Sequence, residues 1–413
     1  MTIVIVVFTV LAGILAIGLL QTDLPAAARD YDRNRAAAQK QGLFVTVEDV
    51  EKSMAVPDAD NAAMVVEPIL GLPEKFGWDD LSNLNPGRID EHRAEFDHAL
   101  TVIEEASRRP RMIFPKDWRN PNTSNAYSAS SSVPVQHWLR VFLKMAKSEF
   151  LANRPETAGR YLHVAAYLAT SLDDCPTLLA QMRRVNMTTP INELVREIIE
   201  RHGLDPRWQR VAKETLAQLE KPYDSRTMLA IEQWMAIDFC RTYMGPGPHP
   251  PLPEGWNPPN EIKYGRFLPM FQTANLSRLY EGYSLAASHL PQDPNDIAGV
   301  GDALDKLVKF AANDGLSYTI VGASATALTE AVTMYARDIA ERNVLSQAMA
   351  AIEKHADLTK GLPLPDHRQG FDGKDLLLKY SGGYWTIYSS ATPVSGTGTA
   401  YHDWEIRLPQ TLK

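Results

Sequence analysis

Apolar residues recur every three or four positions through most of this chain, and the spacing predicts one helix after another. Val135, Trp138, Leu139, Phe142, Ala146 and Phe150 make one stripe, and Tyr161, Ala165, Leu168 and Leu172 make the next, with Arg154-Pro155-Glu156 turning the chain between them. Asp174-Cys175-Pro176 turns it again, before a stripe of Ile191, Leu194, Val195 and Ile198 that stops at Gly203. Asp205-Pro206 opens another helix, carrying Trp208, Val211, Ala212 and Leu219. Stripes joined by short turns predict antiparallel helix pairs. No 34-residue register of the tetratricopeptide kind runs through them, so the array is read as irregular.

Upstream, Ala26 to Gln41 reads as a helix stopped at Gly42, and Thr46 is placed to cap a helix whose first turn holds Glu48 and Asp49. Asp60-Asn61 opens a short helix with Val65, Val66, Ile69 and Leu70, and Arg88 to Arg108 reads as one amphipathic helix with Ile89, Phe96, Leu100 and Ile103 inward. Pro110 to Ser132 reads as a surface loop. Met228 to Met244 is apolar almost all round, which predicts the central helix of a domain. Downstream, helices are expected over Glu261–His289, Ile297–Phe310 and Ala325–His355, with Ser317–Gly322 left as strand or helix.

Two stretches break the helical pattern. Gly245 to Asn260 contains seven prolines and reads as an extended linker or strap. After Pro363 and Pro365 the period becomes two. Leu376 to Tyr380 and Tyr384 to Tyr388 flank Gly382-Gly383, the signature of a tight hairpin, and Trp404, Ile406 and Leu408 predict a third strand with one dry face. A sheet this small is expected to pack on the helices.

The most apolar stretch is Ile3 to Leu20, IVIVVFTVLAGILAIGLL, without a charge or a proline. As a helix its eighteen residues would be about 27 Å long, close to the roughly 30 Å hydrocarbon core of a bilayer. A retained anchor is the preferred reading. The competing one is a signal peptide cleaved after Ala26-Ala27-Ala28, but signal cores are shorter and follow a basic segment. Arg29, Arg33, Arg35 and Lys40 after the span favour a cytoplasmic body by the positive-inside rule. A single leading span ahead of a large domain favours display outside, and the extracytoplasmic side of a bacterial inner membrane is the expectation adopted. The fold class expected is therefore mainly α: a transmembrane helix over 1–22, an irregular antiparallel array over 23–244, the proline-rich segment 245–260, further helices over 261–362 and a small antiparallel β-tail over 363–413.

Fifty acids against forty-two bases, interspersed, give a net charge of −8 and no basic run, which argues against a nucleic-acid surface. Cys175 and Cys240 are read as buried thiols, and neither a zinc spacing nor a nucleotide, hydrolase or metalloprotease motif is present. No cofactor is expected.

Three constellations could carry chemistry. Glu95 and His98 give one E-x-x-H, which a di-iron bundle would need twice, so a solvated helix face is preferred. His137 and His163 lie on neighbouring helices and could face each other, but no third ligand suggests itself. Glu232 and Asp238 lie on the apolar helix near Trp234 and Tyr243. They are the candidate catalytic pair of a glycan hydrolase built on a helical toroid, with pairing to Arg226 or Arg241 as the structural alternative. A six-residue separation turns the two acids to rather different faces.

The segment GFDGKDLLLKYSGGYWTIYSS, Gly370 to Ser390, resembles the carboxyl-terminal hairpin of type II secretion pseudopilins: Phe371-Asp372-Gly373 stands for their turn and Tyr388-Ser389 for their closure. The turn's proline, the prepilin cleavage motif and the glutamate within the hydrophobic run are absent, and ATPVSGTGTA replaces the acidic calcium loop, so no site is carried over. The layout as a whole resembles bacterial single-pass membrane-anchored helical proteins, which implies an architecture and a location. The function expected is a membrane-tethered scaffold or adaptor of the envelope. It would meet the lipid bilayer through residues 3–20 and a protein or peptide partner on the helical array. The glycan hydrolase is the alternative.

Overall fold

The computed structural model describes residues 24–78, 86–114, 118, 132–174, 176–221, 224–244, 269–293, 296–313, 318–355, 357–361, 375–389 and 405–409. In chain order the helices are α1 (Leu24–Arg29), α2 (Tyr31–Lys40), α3 (Val47–Met54), α4 (Ala63–Val66), α5 (Leu72–Lys75), α6 (Pro86–Asp90), α7 (Arg93–Ala106), α8 (Ser132–Leu151), α9 (Pro155–Thr170), α10 (Leu178–His202), α11 (Pro206–Leu219), α12 (Ser225–Met244), α13 (Pro269–His289), α14 (Ile297–Asn313) and α15 (Tyr318–Glu353). Strands β1 (Leu377–Ser381), β2 (Tyr384–Tyr388) and β3 (Glu405–Pro409) follow. The protein is thus mainly helical with a small antiparallel sheet. The apolar segment 3–20, the proline-rich segment 245–260, most of the expected loop 110–132 and Cys175 lie outside the described residues. Among the described residues no helix is long and apolar enough to cross a membrane.

The chain forms two compact units, each made of separated segments. One takes the described residues up to Ser53 together with Ser225–Glu330, and the other takes Met54–Lys116, the described part of 125–224 and the chain from Ala331 onward.

In the first unit the hub is α13, not the Met228–Met244 helix that the apolar pattern singled out. Helix α13 packs against α1, α2, α12 and α14. Its small residues explain why. Ala274, Ala286 and Ala287 are buried, and a Cβ on Gly282 would come within 2.9 Å of the side chains of Leu307 and Phe310 on α14, so the glycine lets the two helices close. The side chain of Asn34 on α2 donates to Ser277 Oγ on α13 at 3.1 Å. As expected, α2 ends at a turn where Gly42 has φ +78°. At the start of α3 the Asp49 amide donates to Thr46 Oγ1 at 3.2 Å, and Asp49 Oδ2 accepts from the Thr46 amide at 2.9 Å. This reciprocal cap satisfies two amides that helix geometry leaves open.

In the second unit α8 and α9 are an antiparallel pair, α9 packs on α11, and α10 lies against both members of that pair and α11. The turn between α8 and α9 places Asn153 at φ +55° and Pro155 at the first helical position. Trp208 Nε1 donates to the Asn153 side chain at 3.0 Å, which ties α11 to that turn. The stripe Ile191, Leu194, Val195 and Ile198 belongs to a helix that starts at Leu178, where Thr177 Oγ1 accepts from the Ala180 amide at 3.1 Å, and Pro190 sits inside it. One boundary differs from the periodic reading: the expected helix Arg88–Arg108 is interrupted at Glu91-His92 into α6 and α7. Of the segment Ser317–Gly322, the described residues from Tyr318 onward are helical, the start of α15.

The tail forms as its alternation predicts. Strand β2 is central, pairing antiparallel with β1 (Leu378 opposite Ile387, Tyr380 opposite Trp385) and with β3 (Ile387 opposite Ile406, Trp385 opposite Leu408). Gly382 at φ +61° and Gly383 at φ +85° form the two-residue turn that needs left-handed backbone at both positions. Ile387, Ile406 and Leu408 are fully buried in the same apolar core as Trp138, Phe142 and Ile198, so the sheet lies on the helices through α10 and β3. The opposite face carries Lys379, Thr386 and Arg407 in register.

Candidate functional site

Glu232 and Asp238 occupy α12, both half-buried, and each interacts with other groups. Arg226 donates to the Gln41 carbonyl at 3.0 Å, and the Arg241 guanidinium lies 5.6 Å from the centre of the Trp234 ring. On the same helix Gln233 and Ile237, between the two acids, and Cys240, just beyond them, are fully buried. Cys240 is a free thiol whose pKa burial pushes up to about 12, so it stays protonated and unreactive at neutral pH.

The histidine candidates do not converge. His163 is exposed on α9, whereas His137 on α8 is half-buried with Nδ1 3.8 Å from Glu74 Oε1. Glu95 and His98 are both exposed on α7. Among the described residues no three His, Cys, Asp or Glu side chains are grouped as a metal site would require.

What the second unit does assemble is a charged network inside its core, which the periodic reading missed. It starts from a polar stripe on α10. Gln181, Arg184, Thr188 and Asn192 follow one another at three- and four-residue steps and are all buried. Tyr335, Asp338, Glu341 and Arg342 supply the facing stripe on α15, also buried.

Arg184 is its centre. Its Nε lies 2.8 Å from Asp173 Oδ2 and its Nη1 3.2 Å from Asp338 Oδ2, its Nη2 donates to the Leu219 carbonyl at 3.2 Å, and its guanidinium stands 4.8 Å from the centre of the Tyr335 ring. Arg342 duplicates the bridge, donating to the Leu219 carbonyl at 2.6 Å and to Asp338 Oδ2 at 3.0 Å. Asp338 Oδ1 accepts from Thr188 Oγ1 at 2.6 Å and from Asn192 Nδ2 at 3.2 Å. The Leu219 carbonyl is one of those left open at the end of α11, so the two arginines also cap that helix. Beside this group Lys221 Nζ pairs with Asp174 Oδ1 at 2.6 Å, and Asp174 Oδ2 accepts from the Met112 amide at 2.6 Å.

The electrostatics follow from burial. Burial opposes the charge of Arg184, but Asp173, Tyr335 and Asp338 around it raise its pKa above the ordinary arginine value, so it is always charged. Burial raises the pKa of Asp173 against the pull of Arg184 and Lys221. Arg184 and Arg342 balance Asp173 and Asp338 in charge. Chemically the network is suited to fastening α10, α11 and α15 together. A polar stripe at helical spacing is the one sequence signal that pointed to it, and the same stripe would equally suit a wet face.

No protein-family model, curated protein or solved structure matches this chain.

Proposed function

We propose that this protein works by binding, as a tethered helical scaffold or adaptor of a bacterial envelope whose contact surface is the β1–β2 hairpin. The apolar segment 3–20 supports the tether, and its position ahead of a long folded region supports an extracytoplasmic setting at the inner membrane. The observation that carries the binding reading is on the hairpin. Leu377, Tyr380 and Tyr384 are 41, 45 and 53% exposed within eight residues, on a sheet whose Ile387, Ile406 and Leu408 are fully buried. Exposed aromatic residues on a rigid element are what protein partners use as anchors. The hydrolase reading rests on Glu232 and Asp238, and no separate observation favours it.

Crosslinking of the full-length chain in membranes tests this. Leu377→Ser with Tyr384→Ser should remove the crosslinked partner bands while leaving the melting temperature within a degree or two, because both side chains already face water. A second variant lacking residues 3–20 should leave the membrane fraction. Crosslinks that survive the hairpin substitutions would overturn the binding surface, and a full-length chain recovered in the soluble fraction without detergent would overturn the tether.

A further inference from the structure

One group in the buried network is not balanced. Glu341 is 2% exposed on α15, one turn from Asp338, and Asp338 is already matched by Arg184 and Arg342. The groups around Glu341 come from two helices. From α15 there are Asp338, half-exposed Arg337, and Arg342, whose guanidinium is committed to the Leu219 carbonyl and Asp338; from α10 there are the Asn192 amide and the exposed Glu193. Two of these are negative, so an ionised Glu341 would stand buried beside a second carboxylate with the Asn192 amide and the half-exposed Arg337 as its compensation.

Hydrogen bonding says the same by a separate route. Asn192 uses Nδ2 to donate to Asp338 Oδ1, which fixes its amide orientation and leaves Oδ1 as an acceptor. Asn192 Oδ1 and Glu341 Oε1 are both buried, and neither has a donor. A carboxylate oxygen sealed from water without a donor holds its charge at a high cost. A proton on Glu341 removes that charge at no cost in volume.

We infer that Glu341 is folded into the core as the neutral acid, and that this proton is a built-in lock on the packing of α15 against α10 that alkaline conditions release. The reaction is the simplest available: Glu341 O–H loses H⁺ to solvent, and the carboxylate left behind stands buried beside Asp338 and repels it. Burial, with Asp338 adding to it, pushes the Glu341 pKa up to about 9, which accords with this. The sign follows. An unfolded glutamate gives up its proton near pH 4.5 and the folded one near 9, so the folded state holds one more proton between those limits. The stabilisation is complete below about 4.5 and is lost as pH rises through about 9. The packing of α10 on α15 therefore tightens as the surroundings acidify.

Two measurements on the full chain test this. Carbon-13 NMR of glutamate-labelled wild-type protein should show one side-chain carboxyl still protonated at pH 7, and its signal should vanish in Glu341→Gln. Glutamine supplies an N–H in place of the O–H, so the variant should fold. Its folded-to-unfolded ratio, relative to wild type, should grow by about tenfold per pH unit from pH 5 to 9. If every glutamate is ionised at pH 7 in the wild type, the inference fails, and this needs no variant. It fails equally if wild type and Glu341→Gln show the same dependence on pH.

Discussion

Arg184→Met is expected to cost about 3–5 kcal/mol of stability at neutral pH, because methionine fills much of the space but strands two buried aspartates. The two do not suffer alike. Asp338 keeps Arg342, Thr188 and Asn192. Asp173 loses the cation at 2.8 Å and keeps the Gln181 side chain, which donates at 3.2 Å, and the more distant charge of Lys221. Its pKa, already raised by burial, should rise further once the arginine is gone. The loss should therefore be greatest at alkaline pH and should shrink on acidification, when Asp173 accepts a proton and no longer needs a counter-charge. Urea unfolding at pH 8 and pH 5 checks this. Adding Asp173→Asn should restore a substantial part of the lost stability at pH 8 and remove most of the pH dependence. A single-variant loss under about 1 kcal/mol at pH 8 would mean that water reaches the network and screens it.

The same network marks the limit of what the sequence discloses. Where apolar residues line a helix, period and burial coincide: Phe96, Leu100 and Ile103, or Trp138, Phe142 and Ala146, were placed inward from spacing alone and are buried. The hairpin was equally legible, because Gly382-Gly383 has a backbone requirement that few other sequences meet. Arg184, Thr188 and Asn192 also recur at helical spacing, but a polar stripe balanced by an opposing polar stripe is indistinguishable in one sequence from a stripe facing water. Their partner Asp338 lies about 150 positions away, and nothing local records the pairing. Pro190 removes one helical hydrogen bond, yet the packed flanks of α10 hold the helix through it. Of the candidate site, Glu232 and Asp238 lie on one helix as read, and Arg241, at helical spacing from Asp238, lies near the Trp234 ring.

Trp138→Ala should cost about 3–5 kcal/mol, for reasons that involve no charge. The indole is fully buried on α8 and joins three parts of the second unit. It meets Trp78 edge-on at 5.8 Å and stacks on Phe142 at 5.3 Å, and both of these rings also contact Phe96 on α7, at 6.2 and 5.3 Å. Removing it opens a cavity beside those rings and takes away their edge and face contacts. It also removes the donor to the Ile69 carbonyl, which Trp138 Nε1 reaches at 2.9 Å. An orphaned buried carbonyl adds to the cavity penalty. Trp138→Phe should recover much of the apolar part but not the hydrogen bond, so its loss should fall between wild type and alanine. Leu151→Ala, at the exposed end of the same helix with its side chain 66% exposed, should change stability by no more than about 0.5 kcal/mol. Unfolding of the three variants under one set of conditions separates the contributions. A Trp138→Phe variant as stable as wild type would show that the indole N–H finds an equal partner in water, and that the Ile69 carbonyl is not sealed from it. Trp138→Ala and Leu151→Ala losing equal amounts would remove the aromatic cluster as the feature that fixes α7 against α8.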